Sequence, residues 1–434
     1  MPHFKLMNNP FSRNLQCPSR LPGTIVASGN ALACLLLPTL RRLARCHGVF
    51  IRAFYNRSMA HPFDICIRGG GIVGRALALH LAALQLKVAL CDPHAGAEPQ
   101  RGADVRAYAL NLRSRRLLEA VRCWPDEVDA TPVLEMRVFG DDGGKVDFSA
   151  SGQACAALTW IVDVPVLEQR LTQALRFQPR IETFAVPQAA ALTVVCEGKS
   201  SSTRDEFGVE FQVQPYAQWA LATRVDCEMA HQQVACQWFG DDEILAFLPM
   251  GGAAGRRRAV VWSVPAARAS ELQSVEETAF CGALQEGSHN TLGRISLAGE
   301  RRVWPLQHAQ AGQWCGQNAA GSWVLAGDAA HNVHPLAGQG LNLGLGDVQE
   351  LAQILTGRPY WRGVDDLRLL RRYERARKAD FALIGQTGNA LQQLFAQSHP
   401  AVRTLRNCGM NGFEQSGPLK RWVARRAMGL HGNP

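Results

Sequence analysis

Two stretches place glycines, a carboxylate and an opening helix close together, and each has the makings of an anion-binding turn. The first is Gly69-Gly70-Gly71-Ile72-Val73-Gly74, which follows the strand-like run Asp64–Arg68 and precedes an apolar segment from Ala76 to Leu86. The second runs from Gly327-Asp328 through Pro335, Gly338-Gln339-Gly340-Leu341-Asn342 to Asp347, after the apolar run Trp323–Ala326. A glycine lets the backbone approach a ligand with no Cβ in the way. A helix N-terminus offers unpaired N–H groups and the positive end of its dipole. Both stretches should therefore face a negatively charged or electron-accepting group.

The elements needed to hold these turns can be read from the pattern. Asp64–Arg68 reads as a strand, Ala76–Leu86 as a helix, and Lys87–Cys91 as a second strand ending at Asp92. This is the G-x-G-x-x-G dinucleotide fingerprint in its strand–turn–helix setting. Gly69 permits the tight turn, Gly71 lets the backbone reach a pyrophosphate, and Gly74 permits close helix–strand packing. Asp92 comes about 20 residues on, where a carboxylate can bind ribose hydroxyls. Arg68 is a departure from the usual apolar residue, placed beside the phosphates or in solvent. Arg113, Arg115 and Arg116 read as a solvated helix face.

Further along, Met136–Phe139 and Lys145–Phe148 read as a hairpin, and Glu168–Phe177 as a helix. Tyr216–Val225, Val234–Phe239, Ile244–Leu248 and Ala259–Ser263 alternate or run apolar between Gly and Asp clusters and should form an antiparallel sheet. Arg256-Arg257-Arg258 reads as a solvated turn within it. Trp219, Trp238, Phe247 and Trp262 are pocket-lining or plain core. Glu271–Leu284, Asp347–Thr356, Leu367–Lys378 and Phe381–Phe395 read as helices, the third strongly basic. Leu419–Leu430 is basic and amphipathic, suited to an anionic membrane surface, a partner protein or simple docking on the body.

A chain of 434 residues with a net charge of +9 is long for one core, so two interleaved domains are expected. The charge accompanies no nucleic-acid motif. Anionic cofactors and an anionic lipid surface suffice to explain it. Thirteen cysteines without a C-x-x-C pair or zinc spacing argue for reduced thiols and against a metal site. Residues 1–63 contain no Asp or Glu and several Arg. They read as a transit-like segment or as an upstream extension, with the true start at Met59. The apolar run Ala31–Leu37 is too short to span a membrane.

Gly327-Asp328-Ala329-Ala330-His331 with Pro335-Leu336-Ala337-Gly338-Gln339-Gly340-Leu341-Asn342 closely resembles the second flavin-binding motif of the FAD-dependent aromatic hydroxylases, para-hydroxybenzoate-hydroxylase-like proteins, and most of all their ubiquinone-biosynthesis branch. The resemblance covers most of the chain from Asp64 to Leu430. It implies an α/β fold: a Rossmann-like FAD-binding domain interleaved with an antiparallel-sheet substrate domain, followed by C-terminal helices. The partition is 1–61 extension; 62–135, 161–206 and 301–360 FAD-binding; 136–160 and 207–300 substrate domain; and 361–434 C-terminal helices. The resemblance assigns FAD contacts to Gly69, Gly71, Gly74, Asp92, Arg106, Gly198, Arg204, Asp328, Pro335, Gly338, Gln339, Gly340, Leu341 and Asn342. Pro335, Gly338 and Gln339 would lie beside the flavin ring, and Asp328 on the ribitol. Arg106 would touch the ribityl or phosphate portion.

The segment Glu197–Arg204 resembles the family's Asp-Gly-x-x-Ser-x-x-Arg motif, associated with both FAD and NAD(P)H. Gly198, Ser201 and Arg204 match, and Glu197 replaces Asp. Val164 replaces an Asn expected after Asp163, and the connection near Pro187 is short. By the same resemblance FAD carries the chemistry, with NAD(P)H as co-substrate and no catalytic side chain identified; His331 and His334 mostly shape the site. One atom of O2 would pass, through a flavin hydroperoxide, to the ring of a polyprenyl phenol or quinol. Other quinone-biosynthesis proteins and peripheral membrane contact are implied partners. The expected location is cytoplasmic, peripheral on the inner face of the inner membrane. Two alternatives stay open: a non-catalytic flavin-binding scaffold subunit, and a flavin oxidase or reductase of the same fold.

Overall fold

The computed structural model describes residues 61–93, 104–140, 143–240, 242–252, 254–333, 339–395 and 409–427. The extension at 1–60 and the turn residues His334, Pro335 and Gly338 lie outside the described residues, and of Gln339 only its place at a helix start is described.

A six-stranded sheet carries both glycine turns. Its order is Cys315–Asn318, Gly321–Leu325, Ala190–Val195, Phe63–Arg68, Val88–Cys91, Ile181–Phe184. All neighbours are parallel except the edge pair Cys315–Asn318 and Gly321–Leu325. Ile65, Ile67, Leu192, Val194 and Val324 are wholly buried, because a parallel sheet is covered on both faces and its strands run continuously apolar. Helices Ile72–Ala83, Val164–Arg176 and Gln339–Thr356 pack into this core. Pro165 opens the second of these helices, a position whose missing N–H has no intrahelical role. The connection near Pro187 is short, yet it delivers two strands, Ile181–Phe184 and Ala190–Val195, into register with the sheet.

The second sheet has nine strands. Its path is His331–Asn332, Arg302–Ala311, Phe211–Cys227, Arg257–Pro265, Ile244–Pro249, Val234–Phe239, Glu135–Phe139, Lys145–Ser149, with Ile295–Leu297 also pairing Phe211–Cys227. It is antiparallel except where Val234–Phe239 meets Glu135–Phe139 in parallel. The expected hairpin is the last strand pair. Trp238, Phe247 and Trp262 are buried in a core with Leu272, Phe280 and Leu284, and Trp219 is half-buried against it. A small third sheet joins Ala107–Leu110, Thr159–Asp163 and Ala130–Val133.

Four expectations change. The strand Arg302–Ala311 pairs with Phe211–Cys227, so the return to the first sheet comes at Cys315 and not at residue 301. Arg258 is no solvated turn residue: it lies in the strand Arg257–Pro265, is 3% exposed, and donates to the Val234 and Met229 carbonyls. The helix expected over Glu271–Leu284 is two helices, Ala266–Ser274 and Glu277–Gly287. Arg301 stops the first by donating to the Leu272 and Val275 carbonyls at 2.9 and 2.6 Å, satisfying C-terminal acceptors that would otherwise continue the ladder. The two C-terminal helices expected at 367–378 and 381–395 are one, Leu367–Phe395.

Candidate functional site

Gly69 adopts φ +115°, and a Cβ there would lie 2.3 Å from the Cys196 carbonyl oxygen. A Cβ on Gly74 would lie 2.0 Å from the Gly69 carbonyl oxygen. Side chains at either position would force the turn off the sheet. Gly71, by contrast, faces open space and starts the helix Ile72–Ala83 with no side-chain cap and no acid in its first turn. The N–H groups there remain available to an anion.

The second turn arrives at the same place. Val73, in the first turn of that helix, is the contact: a Cβ on Gly327 would lie 3.3 Å from its Cγ2, and one on Gly344 2.8 Å. Gly327 and the helix Gln339–Thr356 therefore pack directly on the fingerprint helix. Leu341 is buried, and Gly340 is half-buried with open space where a side chain would stand.

A buried carboxylate fixes this second turn. Asp347 is 0% exposed. It accepts the Gly327 N–H at 2.7 Å and the Arg377 Nε at 2.6 Å, and lies 2.7 Å from His331 Nε2. Burial pushes its carboxyl up, but His331 and Arg377 outweigh that and hold it below the ordinary carboxylate value. Arg377 also donates to the Leu343 carbonyl and pairs with Asp380. Tyr373, one turn earlier, donates to the Leu325 carbonyl at 3.0 Å. His331 is 2% exposed and stacks on Trp314 at 4.8 Å between ring centres, so it braces the turn from inside. Arg377 had no sequence signal of its own, since it sits in an arginine-rich run. Asp347 was visible only as the acid at the end of the second glycine stretch.

Asp328, next to this brace, is open to solvent and yet hemmed in by protein. Its surroundings push its carboxyl above the ordinary value, opposed by His331, Asn332 and Lys199. Exposure together with desolvation marks a side chain inside a cleft. Tyr108 shares that cleft: it is half-buried, burial raises its phenol, and the charges of Arg106 and Asp328 act on it. Asn342 holds Tyr108's strand to the second motif. Its carbonyl oxygen accepts from the Asn111 N–H and the Ser114 hydroxyl, and its amide donates to the Ala109 carbonyl at 2.7 Å. Asn342 thus positions the cleft wall.

The other expected contacts are placed as follows. Asp92 is 7% exposed and pairs with Arg75 Nη2 at 3.2 Å. Arg106 forms a fork with Asp104, Nε lying 2.9 and 3.0 Å from its two oxygens. Arg204 is buried, donates to the Ala329 carbonyl at 3.2 Å and lies over the Phe211 ring, so it joins the third motif to the second. Glu197 accepts from Ser201 and twice from Thr203; its carboxylate closes the Gly198 turn. Arg68 is the last residue of the strand Phe63–Arg68, as one of its expected placements had it, and is half-buried. It reaches Thr203 Oγ1 at 2.7 Å and Glu206 at 3.0 Å. Asp163 is gripped by Arg224 at 2.8 and 3.1 Å, which also donates to the Asp104 and Val105 carbonyls. That clamp fastens the large sheet to the cleft wall and was not foreseen, because its partners lie on separate strands. Arg113 bonds Gln349 on the second-motif helix, and Arg115 lies over Trp160, so the arginine face at 113–115 is packed.

These residues fit an extended dinucleotide: an uncapped helix N-terminus at Gly71, a carboxylate in a cleft at Asp328, and Val73 of the first turn in contact range of Gly327 in the second. Among the described residues no group of His, Cys, Asp and Glu could hold a metal ion.

Comparison with known proteins agrees. Residues 187–384 match a family model described as an FAD binding domain. The chain is 30% identical over 400 residues to the 3-demethoxyubiquinol 3-hydroxylase of Escherichia coli (strain K12), covering 85% of this chain and 99% of that protein. It is 30% identical to the ubiquinone hydroxylase UbiL of Rhodospirillum rubrum, covering 84% and 89%. In fold it is similar to the p-nitrophenol 4-monooxygenase PnpA of Pseudomonas putida DLL-E4, with a TM-score of 0.67 at 17% identity over 86% of this chain and 99% of that one.

Proposed function

The chain belongs to the FAD-dependent ubiquinone-biosynthesis hydroxylases, and from that premise we propose that it hydroxylates the ring of a polyprenylated phenol or quinol, with NAD(P)H as reductant. The observation that carries the reading is the meeting of Gly327 and Gly344 with Val73, which joins two remote glycine turns into one slot. FAD, when bound, supplies the redox chemistry and the activation of O2.

The side chains then have distinct tasks. The N–H groups after Gly71 would hold the pyrophosphate, with Arg106 near it once released from Asp104. Asp328 would accept from the ribitol hydroxyls. Gln339, Gly340, Leu341 and the helix they open, with Pro335 and Gly338 preceding it in sequence, would favour negative charge at the flavin ring through the helix dipole. Arg204 and Asn342 position the cleft walls. Asp347 and His331 keep the Gly327 turn fixed, so neither is available as a base. The antiparallel sheet would floor an apolar substrate space that excludes water.

We further propose that the enzyme works in the cytoplasm beside other quinone-biosynthesis proteins, peripheral on the inner face of the inner membrane. No described helix is long and apolar enough to cross a membrane. The test is product analysis with purified, FAD-loaded protein, NAD(P)H and a prenylated phenol under isotopically labelled O2. Label in a ring hydroxyl is expected. NAD(P)H oxidation with unlabelled product would instead assign an oxidase or reductase.

A further inference from the structure

The loop between the helices Gln339–Thr356 and Leu367–Phe395 presents two neighbouring aromatic rings to solvent. Tyr360 is 95% exposed and Trp361 69%, their rings meeting edge to face at 5.0 Å. The loop that carries them is anchored. Val364 is buried in the main core. The Ser322 hydroxyl donates to the Asp365 carbonyl at 2.8 Å, the Arg362 N–H donates to the Pro359 carbonyl at 3.0 Å, and the Arg362 guanidinium pairs with Asp366 at 2.8 Å. The rings are thus held outward by a fixed turn.

The next helix continues this surface with charge. Arg368, Arg371, Arg372 and Arg375 stand at i, i+3, i+4 and i+7, hence on one face, and all four are exposed. The acid among them, Glu374, is turned inward: it accepts the Trp314 N–H and pairs with Lys378. Among the described residues no ion pair neutralises any of the four guanidinium groups. The inward face of the same helix is Leu370, Tyr373 and Arg377, all buried, so the helix cannot turn its arginines elsewhere.

We propose that Tyr360, Trp361 and this arginine face form a docking surface for an anionic lipid bilayer. Tyr and Trp rings settle at the headgroup level, where one edge is apolar and the other wet. Arginines beside them meet lipid phosphates, each strengthening attachment about fivefold near an anionic surface. An acidic protein partner would require a broader apolar centre than two rings flanked by Arg358 and Arg362. The surface belongs to other elements than the basic helix Pro418–Ala427. It rests on the functional reading above, since a polyprenyl tail would be drawn from such a bilayer.

The experiment uses full-length, FAD-loaded protein sedimented with vesicles of phosphatidylcholine alone or mixed with phosphatidylglycerol. Binding to the mixed vesicles only, weakening with salt, is expected. Replacing all four arginines by glutamine should lower that affinity by roughly a hundredfold or more. The double variant Tyr360→Ser, Trp361→Ser should also weaken it while keeping the salt dependence. Both variants should oxygenate a short-tailed substrate in detergent at the wild-type rate. The proposal is overturned if the wild type does not prefer anionic vesicles, or if both variants bind as it does. Failure of the functional reading would look different: no oxygenation in detergent, whatever the vesicles do.

Discussion

Asp347 keeps its charge with no exposure to water because three donors converge on it from the Gly327 turn, His331 and the C-terminal helix. Replacing it by Asn should leave Arg377 buried against Asp380 alone. Breaking a buried pair costs about 3–5 kcal/mol, and the low end, about 3 kcal/mol, is expected in a urea unfolding measurement. Its folded pKa lies below the ordinary 3.8, so on acidification the unfolded chain takes up this proton first. The contribution is therefore complete above about pH 4 and is lost as the pH falls through the lower folded value. Asp347→Asn should flatten that acid limb. Asp328 has the opposite sign: because its folded pKa is raised, its ionisation opposes folding increasingly as the pH rises above the ordinary 3.8, and in full above the raised value. Asp328→Asn should thus raise the melting temperature of the FAD-free protein at neutral pH and weaken FAD uptake, measured by thermal melts and by titration of the apoprotein.

At the scale of elements, the cleft depends on side chains that fasten one segment to another. Asn342 fastens the helix Gln339–Thr356 to the strand Ala107–Leu110, and the side chain of Asn111 also caps the helix Leu112–Ala120 by accepting the Ser114 N–H. An Asn342→Leu variant would leave the Ala109 carbonyl and the Asn111 N–H without this partner. The expected loss is about 2–4 kcal/mol, from the cost of buried groups left unsatisfied, read from denaturant curves. The strands themselves were legible beforehand, because alternation and apolar runs are local: Val234–Phe239 was expected and found over the same residues. Fastenings were not. Arg258 sits in a run that read as a solvated turn and Arg377 in a helix that read only as strongly basic, and their burial is decided by partners distant in sequence, Val234 and Asp347. The break at Val275 carries no Gly or Pro; its cause is Arg301, on the following segment. The glycine turns were legible because the chemistry they serve requires a fixed short spacing.

At the scale of the whole molecule, parallel strands of one sheet deliver two turns to the same, C-terminal end of those strands, and a nine-stranded sheet is clamped beside them through Arg224 and Asp163. That arrangement explains how segments more than 200 residues apart in this chain can serve one cofactor, and why the brace at Asp347 lies behind the site. In the helix Leu367–Phe395 the exposed arginines lie on the face opposite Tyr373 and Arg377, which brace the Gly327 turn, so membrane contact and flavin affinity should vary independently. The most direct measurement is amide hydrogen exchange of the purified chain with and without FAD. Added FAD should slow exchange together in residues 70–75, after the first glycine turn, and in 326–332, around Asp328, with the same concentration dependence. Protection of one segment without the other, or of neither, would contradict a single slot built from both.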